Sequence, residues 1–229
     1  LRTILEKVKK KDHDSLNILM ESNTCYKYNE SIYKENPYLR ERVSGGSVRY
    51  LSSSVFDKFK EIMYAQKPNN GCDYAEIYGR QNSSRVIRFM KLEYLKPPAN
   101  FGKYKVLVAA SNGSGSIGEV LSTPLVVNPN VGHTETFISL GSFDNRHEAE
   151  ALLKYLKTKF LRTMLGTLKV TQSNKSKGVW SNVPLQNFRK KSDIDWSKSI
   201  PEIDQQLYEK YKLSNEEIAF IEKKVQPMD

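Results

Sequence analysis

Among the residues in this chain that can serve as nucleophile, general base or metal ligand, the scarcest are three histidines, His13, His133 and His147, and two cysteines, Cys25 and Cys72. Their spacing assembles none of that chemistry. The cysteines make no CxxC pair and have no histidine at zinc-ligand spacing, and no histidine stands beside a candidate nucleophile. His147 falls in the first turn of a predicted helix, and His133 beside Thr134, Glu135 and Thr136 reads as a polar strand terminus. Two-metal phosphoryl chemistry wants acids gathered at strand ends, whereas Asp73, Glu76, Glu93, Glu119 and Glu135 are dispersed. The run from Gly113 to Gly118 spells GxGxxG after a predicted strand, but Glu119 to Pro124 leaves room for one helical turn at most. No helix dipole then backs a dinucleotide phosphate, and the amides of Gly113 and Gly115 are assigned instead to a nucleic-acid phosphate. No catalytic, cofactor-binding or metal-binding residue is assigned.

The basic residues carry the stronger signal. The 229 residues include 36 Lys and Arg against 26 Asp and Glu, a net charge of +10 that favours phosphates or anionic lipid. From Ala151 to Lys191 there is no acid at all, and ten basic side chains; Ile77 to Gly118 adds seven more against Glu93 alone. The tail from Ser192 holds nine acids and five bases, a net −4. An exposed helix normally intersperses Glu with Lys at i,i+4, and this chain stops doing so after Glu150. A phosphate backbone supplies the missing anion, so backbone contacts are expected at Lys154, Lys157, Arg162, Lys169, Lys175 and Lys177, with Lys103 and Lys105 from the middle segment. Base readout is expected from Arg80, Gln81 and Arg85 in one polar loop and Gln172 in another, Thr171 to Lys177, because Arg matches guanine and Gln matches adenine in the major groove. Trp180 and Trp196 read as core or rim packing.

The elements that must position these residues follow from periodicity. Leu5, Val8, Leu16 and Leu19 suggest helix from Leu1 to Met20, interrupted from Lys9 to Ser15, and a second helix is predicted over Ser54 to Gln66. Short β-branched or aromatic runs at Tyr74 to Tyr78, Arg85 to Tyr94, Tyr104 to Ala109, Leu125 to Val127 and Thr134 to Leu140 are predicted to pair in one mixed sheet. A long amphipathic helix runs from Glu148 to Leu165 behind the cap Asn145, and two short helices follow Ser-x-x-Glu capping boxes at Ser199 and Ser214. The expected class is α+β: a central mixed sheet, one long amphipathic helix and short terminal helices. Residues 1–73 read as a helical and irregular segment continuing from a missing upstream part, since Leu1, Ile4, Leu5 and Val8 already run at helical spacing. No apolar run approaches the roughly 18 residues of a membrane span, and two unpaired cysteines suit a reducing cytoplasm.

Several segments resemble one family. They are Lys103 to Gly118, Thr134-Glu135-Thr136-Phe137 with Leu140 to Phe143, the helix containing Lys154 to Phe160, and then Val183 to Phe188, Asp193 to Ser197 and Ile203 to Tyr211. Together they resemble the C-terminal part of adenine-specific DNA methyltransferases of bacterial type II restriction-modification systems, including single chains that also carry a nuclease. The resemblance covers about residues 74 to 229. It implies a DNA target recognition domain over 74–191 with a C-terminal helical tail over 192–229. It implies double-stranded DNA as partner, and an upstream domain of the same chain that binds S-adenosylmethionine and methylates. The family's catalytic tetrad, an Asn or Asp, two prolines and an aromatic, is not matched here: Pro97-Pro98 lies between Lys96 and Ala99, and Asn128-Pro129 is followed by Asn130. The expected function is therefore sequence-specific DNA recognition, with no cofactor bound by this segment and no catalysis of its own. The competing expectation is a basic protein-binding or RNA-binding module without DNA sequence specificity.

Overall fold

The computed structural model describes residues 1–112, 117–169 and 171–228. Helix α1 (Arg2–Lys11) buries Ile4 and Val8 and ends in Lys9, Lys10 and Lys11, cations placed at the negative end of its dipole. A 3₁₀ turn leads into β1 (Met20–Glu21), after which β2 (Lys27–Tyr28) and the short helices α2 (Ser31–Glu35) and α3 (Val55–Lys58) precede the main strands. These are β3 (Tyr74–Gln81), β4 (Ser84–Lys91), β5 (Leu95–Lys96), β6 (Tyr104–Ala109), β7 (Leu125–Val127), β8 (Val131–His133) and β9 (Phe137–Phe143). Helices α4 (Arg146–Lys157), α5 (Lys159–Gly166), α6 (Ile200–Lys210) and α7 (Asn215–Lys224) complete the chain. The class is α+β.

The expected single sheet is instead three: β1-β9-β6-β7, β2-β5, and β4-β3-β8, the last of which is mixed because β8 runs parallel to β3. The strand expected from Thr134 to Leu140 explains the split. The Phe137–Phe143 strand pairs with β6, whereas Val131–His133 pairs with β3, and Thr134 to Thr136 turn the chain from one sheet to the other. The helix expected from Ser54 to Gln66 stops after one turn because Tyr64 exchanges two main-chain hydrogen bonds with Phe89 of β4, at 2.9 and 2.8 Å.

The expected long helix is also broken. Thr158 is extended, with ψ 147°, so α4 ends and α5 starts anew. The restart is capped three times: the Thr158 hydroxyl accepts the Leu161 N–H, and the Asp204 carboxylate of α6 accepts the N–H groups of Lys159 and Phe160. Both predicted capping boxes are present, Ser199 with Glu202 and Ser214 with Glu217.

The apolar clusters cross the boundaries at 73/74 and 191/192. One joins Ile4 and Val8 of α1 to Val106 and Val108 of β6, Leu152 and Leu156 of α4, and Ile203, Leu207 and Ile221 of the tail. Lys7 reinforces this union, donating to Glu217 at 2.6 Å and to the Lys212 carbonyl at 2.9 Å. The other cluster gathers Tyr26, Ile32, Leu51 and Phe56 with Ile77, Met90 and Phe101. No helix among the described residues is long and apolar enough to cross a membrane.

Candidate nucleic-acid interface

The first polar loop is the tip of the β3–β4 hairpin. Asn82 and Ser83 both take positive φ, 49° and 62°, which is the two-residue turn whose twist matches the flanking strands. Arg80 and Arg85 stand directly opposite each other across that turn, and so do Gln81 and Ser84. Because successive strand residues face opposite ways, the arginines share one face and Gln81 takes the other. Gln81 is consumed there: its amide donates to Asp57 of α3 at 2.6 Å, and its carbonyl accepts from Arg88 at 2.7 Å. The expectation that Gln81 reads a base is corrected on that ground.

On the arginine face lies a cleft of about 330 Å³ lined by Arg80, Arg85, Ser53, Ser111, Glu135 and Lys175. Lys175 arrives from the second polar loop, so two segments ninety residues apart meet here. That loop is held as an extension of the β6 edge. The Asn112 N–H donates to the Gln172 carbonyl and the Asn174 N–H to the Ala110 carbonyl, each at 2.9 Å. The buried Asn174 side chain donates to the Ala109 carbonyl, and the Trp180 indole N–H donates to the Asn174 carbonyl, again at 2.9 Å. Gln172, Lys175 and Lys177 stay exposed.

Arg85 is committed within this cleft. Its guanidinium donates to the Ser122 and Thr123 carbonyls at 2.7 Å each and lies over the Phe137 ring. Both terminal nitrogens are occupied, so Arg85 shapes the cleft rather than offering a free fork to guanine, a second correction. Among the described residues the Arg80 side chain makes only a local bond, to the Ser83 carbonyl at 2.8 Å, and is exposed. Glu135 accepts the Ser53 N–H at 2.9 Å.

The expected phosphate contacts divide. The side chains of Lys157, Lys175 and Lys177 have no hydrogen-bond or ion-pair partner among the described residues. Five others are spent inside the protein. Lys154 donates to three carbonyls, of Trp196, Ser197 and Lys198. Arg162 is 1 % exposed and donates to the carbonyls of Thr158, Gly118 and Gln226; burial depresses its pKa. Lys169, 3 % exposed, donates to the Asn112 carbonyl and lies 3.6 Å from Glu119, its pKa lowered by burial. Lys105 is fully buried in a cage of the Asn100, Phe101 and Lys103 carbonyls, each at 3.2 Å, and desolvation pulls its pKa down to about 8. Lys103 pairs with Asp144. For Lys154, Arg162, Lys169 and Lys103 the physical reason is that carbonyls or acids distant in sequence complete them, whereas Lys105 folds back onto carbonyls two to five residues before it; in every case the long stem buries readily. Gly113 and Gly115 lie outside the described residues. Gly118, the last glycine of that run, takes φ 78° and packs so tightly on Val225 that a Cβ would lie 2.6 Å from its methyl.

Sequence reasoning left Arg189, Lys190 and Lys191 out of the site. They are exposed, without side-chain partners among the described residues, beside a groove of about 1240 Å³ that also includes Asn145 to Glu148 at the start of α4. The signal was the basic triplet itself.

Nucleophilic chemistry finds no support in the Cys–His contact present among the described residues. Cys25 Sγ lies 3.8 Å from His133 Nε2, but burial, followed by Glu21, pushes the thiol up to about 12. Burial takes His133 down to about 4, despite its contact with the Thr134 carbonyl, so the pair is neutral at neutral pH. Among the described residues no group of three or more His, Cys, Asp or Glu could hold a metal ion. Both tryptophans are core residues, Trp180 at 0 % and Trp196 at 4 % exposure. No protein-family model, curated protein or solved structure matches this chain.

Proposed function

We propose that this chain binds duplex DNA as the target recognition module of an adenine-specific restriction-modification methyltransferase, with methylation, and any cleavage, carried out by domains outside this chain. The observation that carries the reading is the convergence of Arg80, Arg85 and Lys175 on one cleft, beside the exposed Gln172. Two arginines directly opposite on one strand pair repel, and an arrangement that gathers three cations against the single acid Glu135 suits a polyanion. In this reading Lys175, Lys177 and Lys157 hold the phosphate backbone, and Arg80 and Gln172 reach the base edges.

A second reading, a basic module for RNA or a protein without DNA sequence specificity, is favoured by one observation. Gln81 and Arg85, two of four expected base readers, are tied to the protein. A mobility-shift titration with duplex DNA, single strands and structured RNA at two salt concentrations separates the readings. Duplex binding with a log–log salt slope of about −5, for about six phosphates, supports DNA. Preference for RNA, or no binding at low salt, overturns it.

A further inference from the structure

The β2–β5 ribbon places two lysines where sheet physics disfavours them. Lys27 and Lys96 are direct cross-strand partners, so their side chains stand on one face with like charges opposed. On the other side of Lys27 the chain bridges to Tyr50, and the Tyr28 N–H donates to the Arg49 carbonyl at 2.8 Å, which brings Arg49 beside the ribbon. A 3₁₀ turn from Pro37 to Arg42 adds Arg40, whose guanidinium lies over the Tyr33 ring at 5.3 Å. Tyr33 is itself fixed, its hydroxyl donating to the Val48 carbonyl at 2.8 Å. These four cations, Lys27, Arg40, Arg49 and Lys96, line one cleft of about 340 Å³. All four are exposed, and none has an ion pair or a side-chain hydrogen bond among the described residues. The one acid on its wall, Glu30, is paired with Lys34 at 3.5 Å.

We infer that this cleft is a phosphate-binding site, in which Lys27 and Lys96 flank a phosphoryl group and the Arg40 and Arg49 guanidiniums donate to its oxygens. Three features argue for a multiply charged oxyanion. Four unpaired positive charges in one small cavity raise the local concentration of anions. Guanidinium forks match the geometry of phosphate oxygens, and Tyr33 pre-orients one of them. An anion standing between Lys27 and Lys96 relieves their repulsion. The volume lies at the small end of ligand pockets, enough for a diphosphate or a mononucleotide phosphate. The site is separate from the Arg80–Lys175 cleft and does not rest on the DNA reading.

The test uses the full chain and isothermal titration at low salt with pyrophosphate, a 5′-mononucleotide and a short duplex. Pyrophosphate is expected to bind, the Lys27→Gln/Lys96→Gln variant to bind at least tenfold more weakly, and Lys67→Ser, at an exposed position outside both clefts, to bind as the parent does. Displacement of the mononucleotide by the duplex identifies a nucleic-acid backbone as the source of the phosphate. Failure to displace it identifies a small phosphate ester. A chain that binds pyrophosphate here but no duplex sinks the DNA reading and sustains this one. A second readout needs no ligand: Lys96→Glu should raise the melting temperature of the free protein by about 2 °C while abolishing pyrophosphate binding. Absence of pyrophosphate binding, equal binding by the double variant, or a lower melting temperature for Lys96→Glu overturns the proposal.

Discussion

The carboxylate of Asp204 accepts the main-chain N–H of Phe160 at 2.9 Å, so a residue forty-four positions away caps the helix that the break at Thr158 creates. The same carboxylate takes the Lys159 N–H at 2.9 Å, leaving α5 without orphan donors at two of its first positions. Replacing Asp204 by Ala strands both N–H groups in a site where the parent residue is 3 % exposed, and should cost about 2 kcal/mol. Asp204→Asn keeps an acceptor and should cost less than half as much. Urea unfolding of the two variants measures the difference; equal losses would mean the cap is not the stabilising element.

Stability should respond to pH through two buried groups with opposite signs. Burial raises Asp204 from its ordinary 3.8 to about 6, so the folded state holds the extra proton and its contribution falls as pH rises from about 4 to 6. Burial lowers His133 from 6.5 to about 4, so the unfolded state holds the extra proton and its contribution grows as pH rises from about 4 to 6.5. Relative to the parent, Asp204→Asn should become steadily more stable as pH rises between 4 and 6, by at most about 1.4 kcal/mol per pH unit, and His133→Gln steadily less. Denaturation at pH 4, 5 and 6 reads both slopes; parallel curves for all three proteins would refute the assignment.

Arg162 and the loop lysines should separate structure from binding. Arg162→Leu removes the donor to three carbonyls and should destabilise by about 3 kcal/mol. The folded fraction should keep the parental salt slope for DNA. Lys157→Ser, Lys175→Ser and Lys177→Ser together should leave the melting temperature within a degree or two and make the salt slope shallower by about 3.

Base selectivity should rest on Arg80 of the cleft and on the exposed Gln172 outside its lining. With the sequence selectivity of duplex binding as readout, Arg80→Ala and Gln172→Ala should each lose about 1–3 kcal/mol of discrimination at one base pair. Gln81→Ala should leave selectivity unchanged and weaken the hairpin's contact with α3, where Gln81 meets Asp57. A selectivity change confined to Gln81→Ala would reverse the assignment.

Gly79 sets the seat of the hairpin. A Cβ there would lie 2.5 Å from Phe56 Cε2 and 2.9 Å from Thr134 Cγ2, so Gly79→Ala should destabilise by about 1–3 kcal/mol through overpacking. It should also weaken DNA binding by displacing Arg80, measurable as a joint loss in thermal melting and mobility shift.

Local chemistry, legible in the order of residues alone, determined α1, the two capping boxes at Ser199 and Ser214, the core placement of Trp180 and Trp196, and the α+β class. These depend on neighbours three or four positions apart or on bulk apolar character. The concentration of charge between Ala151 and Lys191 was equally visible, but what each charge does was not. Lys154, Arg162 and Lys169 meet carbonyls up to sixty-four residues distant, and a one-dimensional count of acids cannot see a carbonyl. The break at Thr158 is not legible in the sequence because two of its three capping bonds come from Asp204, on another helix. The two clefts depend on strand register: only pairing places Arg80 opposite Arg85 and Lys27 opposite Lys96, and a slip of one residue would send each pair to opposite faces.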